Sequence, residues 1–217
     1  MRVVVCADAG PIVSVECTDS HVFSTSFDGT CRVWDWEGKA VSTLDAHDGH
    51  ASGLALYDDE AKVITGGDDG FVKVWDVATE ANITSAHGHT QGAVWCVRHH
   101  SHVVLSCSTD GAMRLWDARN GLDKPIFAVD KGHADAIAGA QMDRDKIVTS
   151  GFDSCVHIWD LKRFGSYLSH VVGHPDRMCK RATMCAPPNT RCTRLAYDDT
   201  RVITGSLNGT IVCFDMI

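Results

Sequence analysis

Histidine, a hydroxyl residue and aspartate recur along this chain at spacings that could build a relay of nucleophile, base and orienting acid. His89, Ser106 and Asp110 make one such set, and His133, Thr149 and Asp153 another. Thr65 and Asp69 follow either His47 or His50 in a third. In a hydrolase, such a trio activates the hydroxyl for attack on a carbonyl. Yet the sets recur at the same phase in successive units, and an active site is not usually built several times over. No nucleophile-elbow motif accompanies them. They read better as groups that satisfy one another in the interior, where an unpaired donor costs about 1–3 kcal/mol. No catalytic residue and no enzyme activity is expected.

Two other clusters have metal-ligand chemistry. His170, His174, Cys179, Cys185 and Cys192 lie near one another in sequence, and His99, His100 and His102 crowd one short turn. Neither shows the paired spacing of a closed zinc site, so no metal or cofactor is expected. The ten cysteines mostly sit singly in strand-like runs and read as reduced core thiols.

What positions these residues is a repeat. An Asp-Gly or similar turn runs to a Trp-Asp ending at Asp28 to Asp35, Asp69 to Asp76, Asp110 to Asp117 and Asp153 to Asp160, then in a worn copy from Asn208 through Phe214 to Asp215. The closing aspartates lie 41, 41, 43 and 55 positions apart. A period near forty signals units that cannot bury their apolar surface alone and must stack. Within residues 47 to 76, Leu54–Tyr57, Val63–Gly66 and Phe71–Trp75 are strand-like runs separated by polar turns. Asn82–Thr84 gives a weaker fourth. The second and third runs are apolar on both faces, which fits a sheet held between neighbours.

Four-stranded sheets of this period pack around an axis as a β-propeller. On its Trp-Asp endings, with the preceding His, Ser/Thr and Asp, the chain resembles the WD-repeat family over nearly its whole length. The resemblance implies an all-β fold of four-stranded antiparallel blades in five WD-type repeats, five-bladed if closed or a fragment of a larger propeller. It also implies a buried His–Ser/Thr–Asp–Trp chain, here His89, Ser106, Asp110 and Trp116, then His133, Thr149, Asp153 and Trp159. In the second repeat Thr65, Asp69 and Trp75 match, with His47 preferred over His50. The first repeat keeps Ser24, Asp28 and Trp34, but Ala7-Asp8 stands where Gly-His belongs. The fifth has Asn208 and Phe214 in place of Asp and Trp. Expected boundaries are 9–45, 46–86, 87–130, 131–172 and 173–217, with an insertion near 175–191 in the fifth unit. Residues 1–8, through Val3–Val5, would supply the outer strand that closes the last blade.

In this family two positions per blade open on one face, around the central channel. The first set here is Phe27, Asp68, Thr109, Phe152 and Leu207; the second is Val13, Ser52, Trp95, Ala138 and Thr193. That rim is rich in large apolar side chains, of the kind that mark interaction sites. Trp36 should lie on the opposite face. The insertion carries Arg177, Lys180, Arg181 and Arg191 and is expected on the rim face, as a clamp over an acidic or phosphorylated segment. Partner-binding residues are therefore expected among Phe27, Trp95, Phe152, Leu207, Val13, Asp68, Arg177, Lys180 and Arg181.

The function implied is a non-enzymatic scaffold for peptide segments of other proteins. The alternative is the substrate-recognition propeller of an F-box-type ubiquitin ligase, because turns such as Tyr57–Asp59 and Tyr197–Thr200 look similar to those of F-box propellers. A glycosidase propeller would need carboxylates around the channel, and the rim offers only Asp68. A net charge of −8 disfavours a nucleic-acid partner. No apolar run is long enough to span a bilayer. The opening Met1–Cys6 run is too short for a signal peptide, so a cytoplasmic or nuclear location is expected.

Overall fold

The computed structural model describes residues 8–57, 61–161, 180–185 as backbone, 191–198 and 200–215. They form five antiparallel sheets in chain order. The first is β1 (Ile12–Cys17), β2 (His21–Ser26), β3 (Thr30–Asp35) and β4 (Ala40–Asp45). The second is β5 (Ala51–Tyr57), β6 (Lys62–Gly67), β7 (Phe71–Asp76) and β8 (Asn82–His87). The third is β9 (Val94–His100), β10 (Val103–Ser108), β11 (Met113–Asp117) and β12 (Phe127–Val129). The fourth is β13 (Ile137–Met142), β14 (Lys146–Gly151), β15 (Cys155–Asp160) and β16 (Lys180–Cys185). The fifth is β17 (Cys192–Tyr197), β18 (Arg201–Ser206) and β19 (Ile211–Asp215). The turn between second and third strands needs positive φ, which Gly29, Gly70, Gly111 and Gly209 adopt, and Ser154 at φ 64° in the fourth sheet.

One rule of packing joins the sheets. The face of each sheet toward its successor carries three apolar side chains, such as Phe23, Cys31 and Val33. They meet a backward face built from the next inner strand, its neighbour and the motif tryptophan: Ala51, Leu54, Val63 and Trp75. Ile64, Val72 and Val74 meet Val94, Val97, Val104 and Trp116 in the same way. Leu105, Met113 and Leu115 meet Ile137, Ala140, Ile147 and Trp159. Val148, Val156 and Ile158 meet Leu195, Val202 and Phe214. Both faces of each middle sheet are thereby dry, as the doubly apolar strands predict.

Among the described residues the formula leaves two faces uncovered. Ile203 and Ile211 occupy the forward positions of the fifth sheet and are 45% and 77% exposed, although their equivalents in the other four sheets are 0% exposed. Ile12 and Val15, on the backward face of the first sheet, are 43% and 55% exposed. The expected closing strand at Val3–Val5 lies outside the described residues.

The insertion departs from its expected place. Lys180 and Arg181 belong to β16, which pairs with β15 from Cys155↔Cys185 to Trp159↔Lys180 and completes the fourth sheet. The fourth unit therefore runs past residue 172, and the extra length falls between its third and fourth strands rather than in the fifth unit. The free edge of β15 demands a partner. The six residues of β16 contain no Gly or Pro, and Pro187-Pro188 follows where a strand cannot continue. Arg177 lies outside the described residues.

Candidate functional site

The recurring polar residues assemble as buried structural chains. In the second sheet, Nδ1 of His47 faces Asp69 at 2.8 Å, and Nε2 lies 2.8 Å from the Thr65 hydroxyl. Trp75 donates its indole N–H to the same hydroxyl at 3.0 Å. A carboxylate only accepts, so Nδ1 carries the proton and Nε2 accepts from Thr65. In the fourth sheet, His133 bonds Asp153 and Thr149 at 2.9 and 2.8 Å, and Trp159 donates to Thr149 at 3.0 Å. His47, rather than His50, is thus the member of the second chain. Each histidine sits where a glycine leaves space: a Cβ at Gly151 would lie 2.6 Å from Nδ1 of His133. Burial pushes the Asp69 and Asp153 carboxyls up. The hydrogen bonds from their histidines outweigh it, with electrostatic attraction and backbone N–H donors, and hold both at about 2.

Two sheets vary the chain. In the third, Asp110 stands 3.7 Å from Nδ1 of His89, and Arg114 approaches that nitrogen at 3.2 Å instead. Arginine only donates, so the proton is on Nε2, which donates to Ser106 at 2.8 Å. Burial, then the charge of Arg114, lowers His89 to about 4. In the first sheet the missing histidine is replaced by Asp8, which accepts from the Ser24 hydroxyl at 2.9 Å while Trp34 donates to Ser24 at 2.8 Å. Arg32 pairs with Asp8 and, at 3.0 Å, with Asp28. The first repeat therefore has a complete polar chain with its charges inverted, a base between two acids. The fifth does not: Phe214 has no N–H to offer, and Asn208 bonds Ser206 and the Thr210 backbone within its own turn.

These geometries commit the same residues to bonds within each sheet. Each hydroxyl is committed to a tryptophan N–H and lies in the interior. His133, Asp153 and His157 approach one another within 4.8 Å, with the two rings stacked at 4.0 Å. Both nitrogens of His133 are already engaged by Asp153 and Thr149, so it has no free lone pair for a metal.

The inner strands β1, β5, β9, β13 and β17 border one cavity of about 570 Å³. Each carries a bulge at its second residue. The pairing steps from Ile12 to Ser14, Ala51 to Gly53, Val94 to Cys96, Ile137 to Gly139 and Cys192 to Arg194. The residues skipped are Val13, Ser52, Trp95, Ala138 and Thr193, and all five line the cavity. A bulge frees one residue from the ladder and re-aims its side chain. Phe27, Asp68 and Phe152 join them from the turns, whereas Leu207, 67% exposed, and Thr109 are not among the lining residues.

Three aromatic contacts organise this mouth. Trp95 meets Phe152 edge-on with ring centroids 5.6 Å apart. The guanidinium of Arg191 lies 5.3 Å from the Phe152 ring. Across the cavity, Phe27 stacks on His50 at 4.0 Å, and His50 pairs with Asp68 at 2.9 Å. His50 and Arg194, both lining the cavity, are absent from the sequence-based set. The rank of Asp68 on the rim was the only signal for His50, and nothing local marked Arg194. Trp36 donates to the Asp19 carbonyl at 2.9 Å, at the end of the first sheet away from the Phe27 turn, as expected.

The comparisons with known proteins agree with this architecture. The family model described as "WD domain, G-beta repeat" matches residues 5–35, 38–76 and 81–117. The chain is 31% identical over 158 residues to a protein named probable coatomer subunit beta' from Schizosaccharomyces pombe, a match spanning 70% of this chain and 19% of that one. It is 27% identical over 188 residues to nuclear distribution protein nudF of Aspergillus niger, covering 82% of this chain and 42% of the relative. The chain thus spans less than half the length of either. Its fold also matches the crystal structure of the computationally designed Ika8 protein, with a TM-score of 0.72 and 23% identity over 94% of this chain and 58% of that one. With the fourth sheet repeating the same His–Thr–Asp–Trp chain beyond the three matched units, the protein belongs to the WD-repeat family.

Proposed function

We propose that the chain is a non-enzymatic scaffold whose bulge-lined mouth binds peptide segments of partner proteins. Proteins of this family are generally protein-interaction scaffolds. The observation that carries the finer reading is the Trp95–Phe152 pair. Trp95 is outside the four motif tryptophans, sits on a bulge and is 36% exposed beside a second aromatic ring. Aromatic anchors on a rigid rim are what protein interfaces use for most of their binding energy. Phe27 and Val13 extend the apolar rim across the cavity. Cys17, Cys31, Cys96, Cys107 and Cys213 are free thiols, which suits the reducing cytoplasm or nucleus. No helix among the described residues is long and apolar enough to cross a membrane.

The F-box reading gains nothing from the mouth's residues or from the names of the relatives, and the scaffold reading stands in its place. Affinity purification from cells tests it. Trp95→Ala with Phe152→Ala is expected to leave the far-ultraviolet spectrum and melting profile intact while stripping the co-purified proteins. A folded double variant with an unchanged partner list would refute the site.

A further inference from the structure

The mouth has charge as well as grease, and the two are sorted. Arg191 and Arg194 are exposed on the fifth-sheet side, and neither enters an ion pair among the described residues. Arg191 lies over Phe152, and Arg194 donates to the Thr193 carbonyl at 3.0 Å, next to the bulge. The acids facing the same cavity are Asp68 and Glu16. Asp68 is held by His50. Glu16 lies on the first sheet, and Arg98, half-buried, donates to the Leu54 and Val97 carbonyls. On the fifth-sheet side the exposed charges at the mouth are therefore both positive, Arg191 over the Phe152 ring and Arg194 lining the same cavity as Trp95 and Phe152.

We propose that the partner segment presents a large apolar side chain beside an acidic one, the apolar group against Trp95 and Phe152 and the carboxylate between Arg191 and Arg194. The assignment rests on the peptide-binding reading of the mouth and specifies its ligand. A guanidinium already stacked on an aromatic ring keeps its in-plane N–H groups free for a carboxylate. An apolar neighbour on the ligand displaces water from that ion pair and strengthens it.

The probe is a library of short capped peptides with Phe fixed at the centre and random flanks, selected on the immobilised full chain and read by sequencing the bound pool. Asp and Glu should be enriched about threefold or more within two positions of the fixed Phe, a preference that fades at high salt. Arg191→Glu with Arg194→Glu, both on exposed positions, should keep the fold and invert the enrichment toward Lys and Arg. A pool that depends on Trp95 and Phe152 but shows no charge preference, or one that the double arginine variant leaves unchanged, would overturn the acidic assignment and spare the peptide-binding reading. A pool no different from that of the folded Trp95→Ala, Phe152→Ala variant would overturn both.

Discussion

Thr149 shows how much one hydroxyl holds. It donates to Nε2 of His133 and accepts the indole N–H of Trp159, and it is fully buried. Thr149→Val keeps the shape and removes both partners' bond, leaving two polar groups unpaired in the interior. At about 1–3 kcal/mol for each, the loss should be about 2–6 kcal/mol, read as a lower urea midpoint at unchanged slope. Thr204, the equivalent residue in the fifth sheet, is just as buried, but its aromatic neighbour is Phe214, which donates nothing. Thr204→Val should cost less than about 1 kcal/mol, because the contact removed is the weak one from the Cys192 thiol at 3.7 Å. The contrast between two identical substitutions isolates the polar chain from the volume of the side chain.

Asp8 explains a limit of reading residues by type. A carboxylate where a histidine is usual looks like a broken motif, and only space reveals that Arg32, three residues before the closing Asp35, has swung the charges round. Distances along the chain do not encode that exchange. The bulge positions were legible for the opposite reason. Val13, Ser52, Trp95, Ala138 and Thr193 share one phase of the repeat, and the backbone repeats with it. His50 and Arg194 also sit at fixed phases, Arg194 with Ser14, Gly53, Cys96 and Gly139, but the residue type changes from unit to unit, so only the fold shows which of them bring a charge to the cavity.

Each polar chain ties three elements: the loop entering a sheet, its second strand, and the turn to its third. Their ionisation makes the sheets sensitive to acid in two stages. His89 stays neutral in the fold down to about 4, whereas an unfolded histidine takes up its proton near 6.5. Its contribution is complete above pH 6.5 and is lost as pH falls toward 4. Asp69 and Asp153 remain charged down to about 2, against 3.8 when unfolded. Their contribution is complete above that value and is lost between about pH 4 and pH 2. Melting temperature should therefore fall in an upper and a lower stage, and His89→Gln should flatten the upper one. A pH profile of that variant parallel to the parent's between 6.5 and 4 would contradict the assignment.

Elements were read well where the pattern was dense. The doubly apolar second and third strands had no other way to fold than between neighbours, and they do. The fourth strands carry less: β4 and β8 are mostly exposed, with only two and one buried positions, and β12 is three residues long, so hydrophobicity marks them faintly. The β16 strand was the hardest, separated from β15 by nineteen residues and rich in charge at its start. A basic run reads as a solvated loop until the unpaired edge beside it is known.

Across the whole molecule, stability is a chain of junctions, not one core. The second, third and fourth sheets each share two apolar junctions with neighbours, while the first and fifth share one each. In such an array the free energy is close to a sum of unit and nearest-neighbour terms. The two relatives and the designed protein extend well beyond the length matched here.

The uncovered faces at Ile12 and Val15 and at Ile203 and Ile211 thus set the order in which the molecule loosens. Opening should begin at both outer sheets and travel inward, one sheet at a time, like a deck of cards lifted from either end. Amide hydrogen exchange of the isolated chain would record this as protection rising from β1 to a plateau in β9–β11 and falling again by β19. Equal protection in all five sheets would mean that the outer faces are covered in solution, with the ends of the stack bound to each other or to something else.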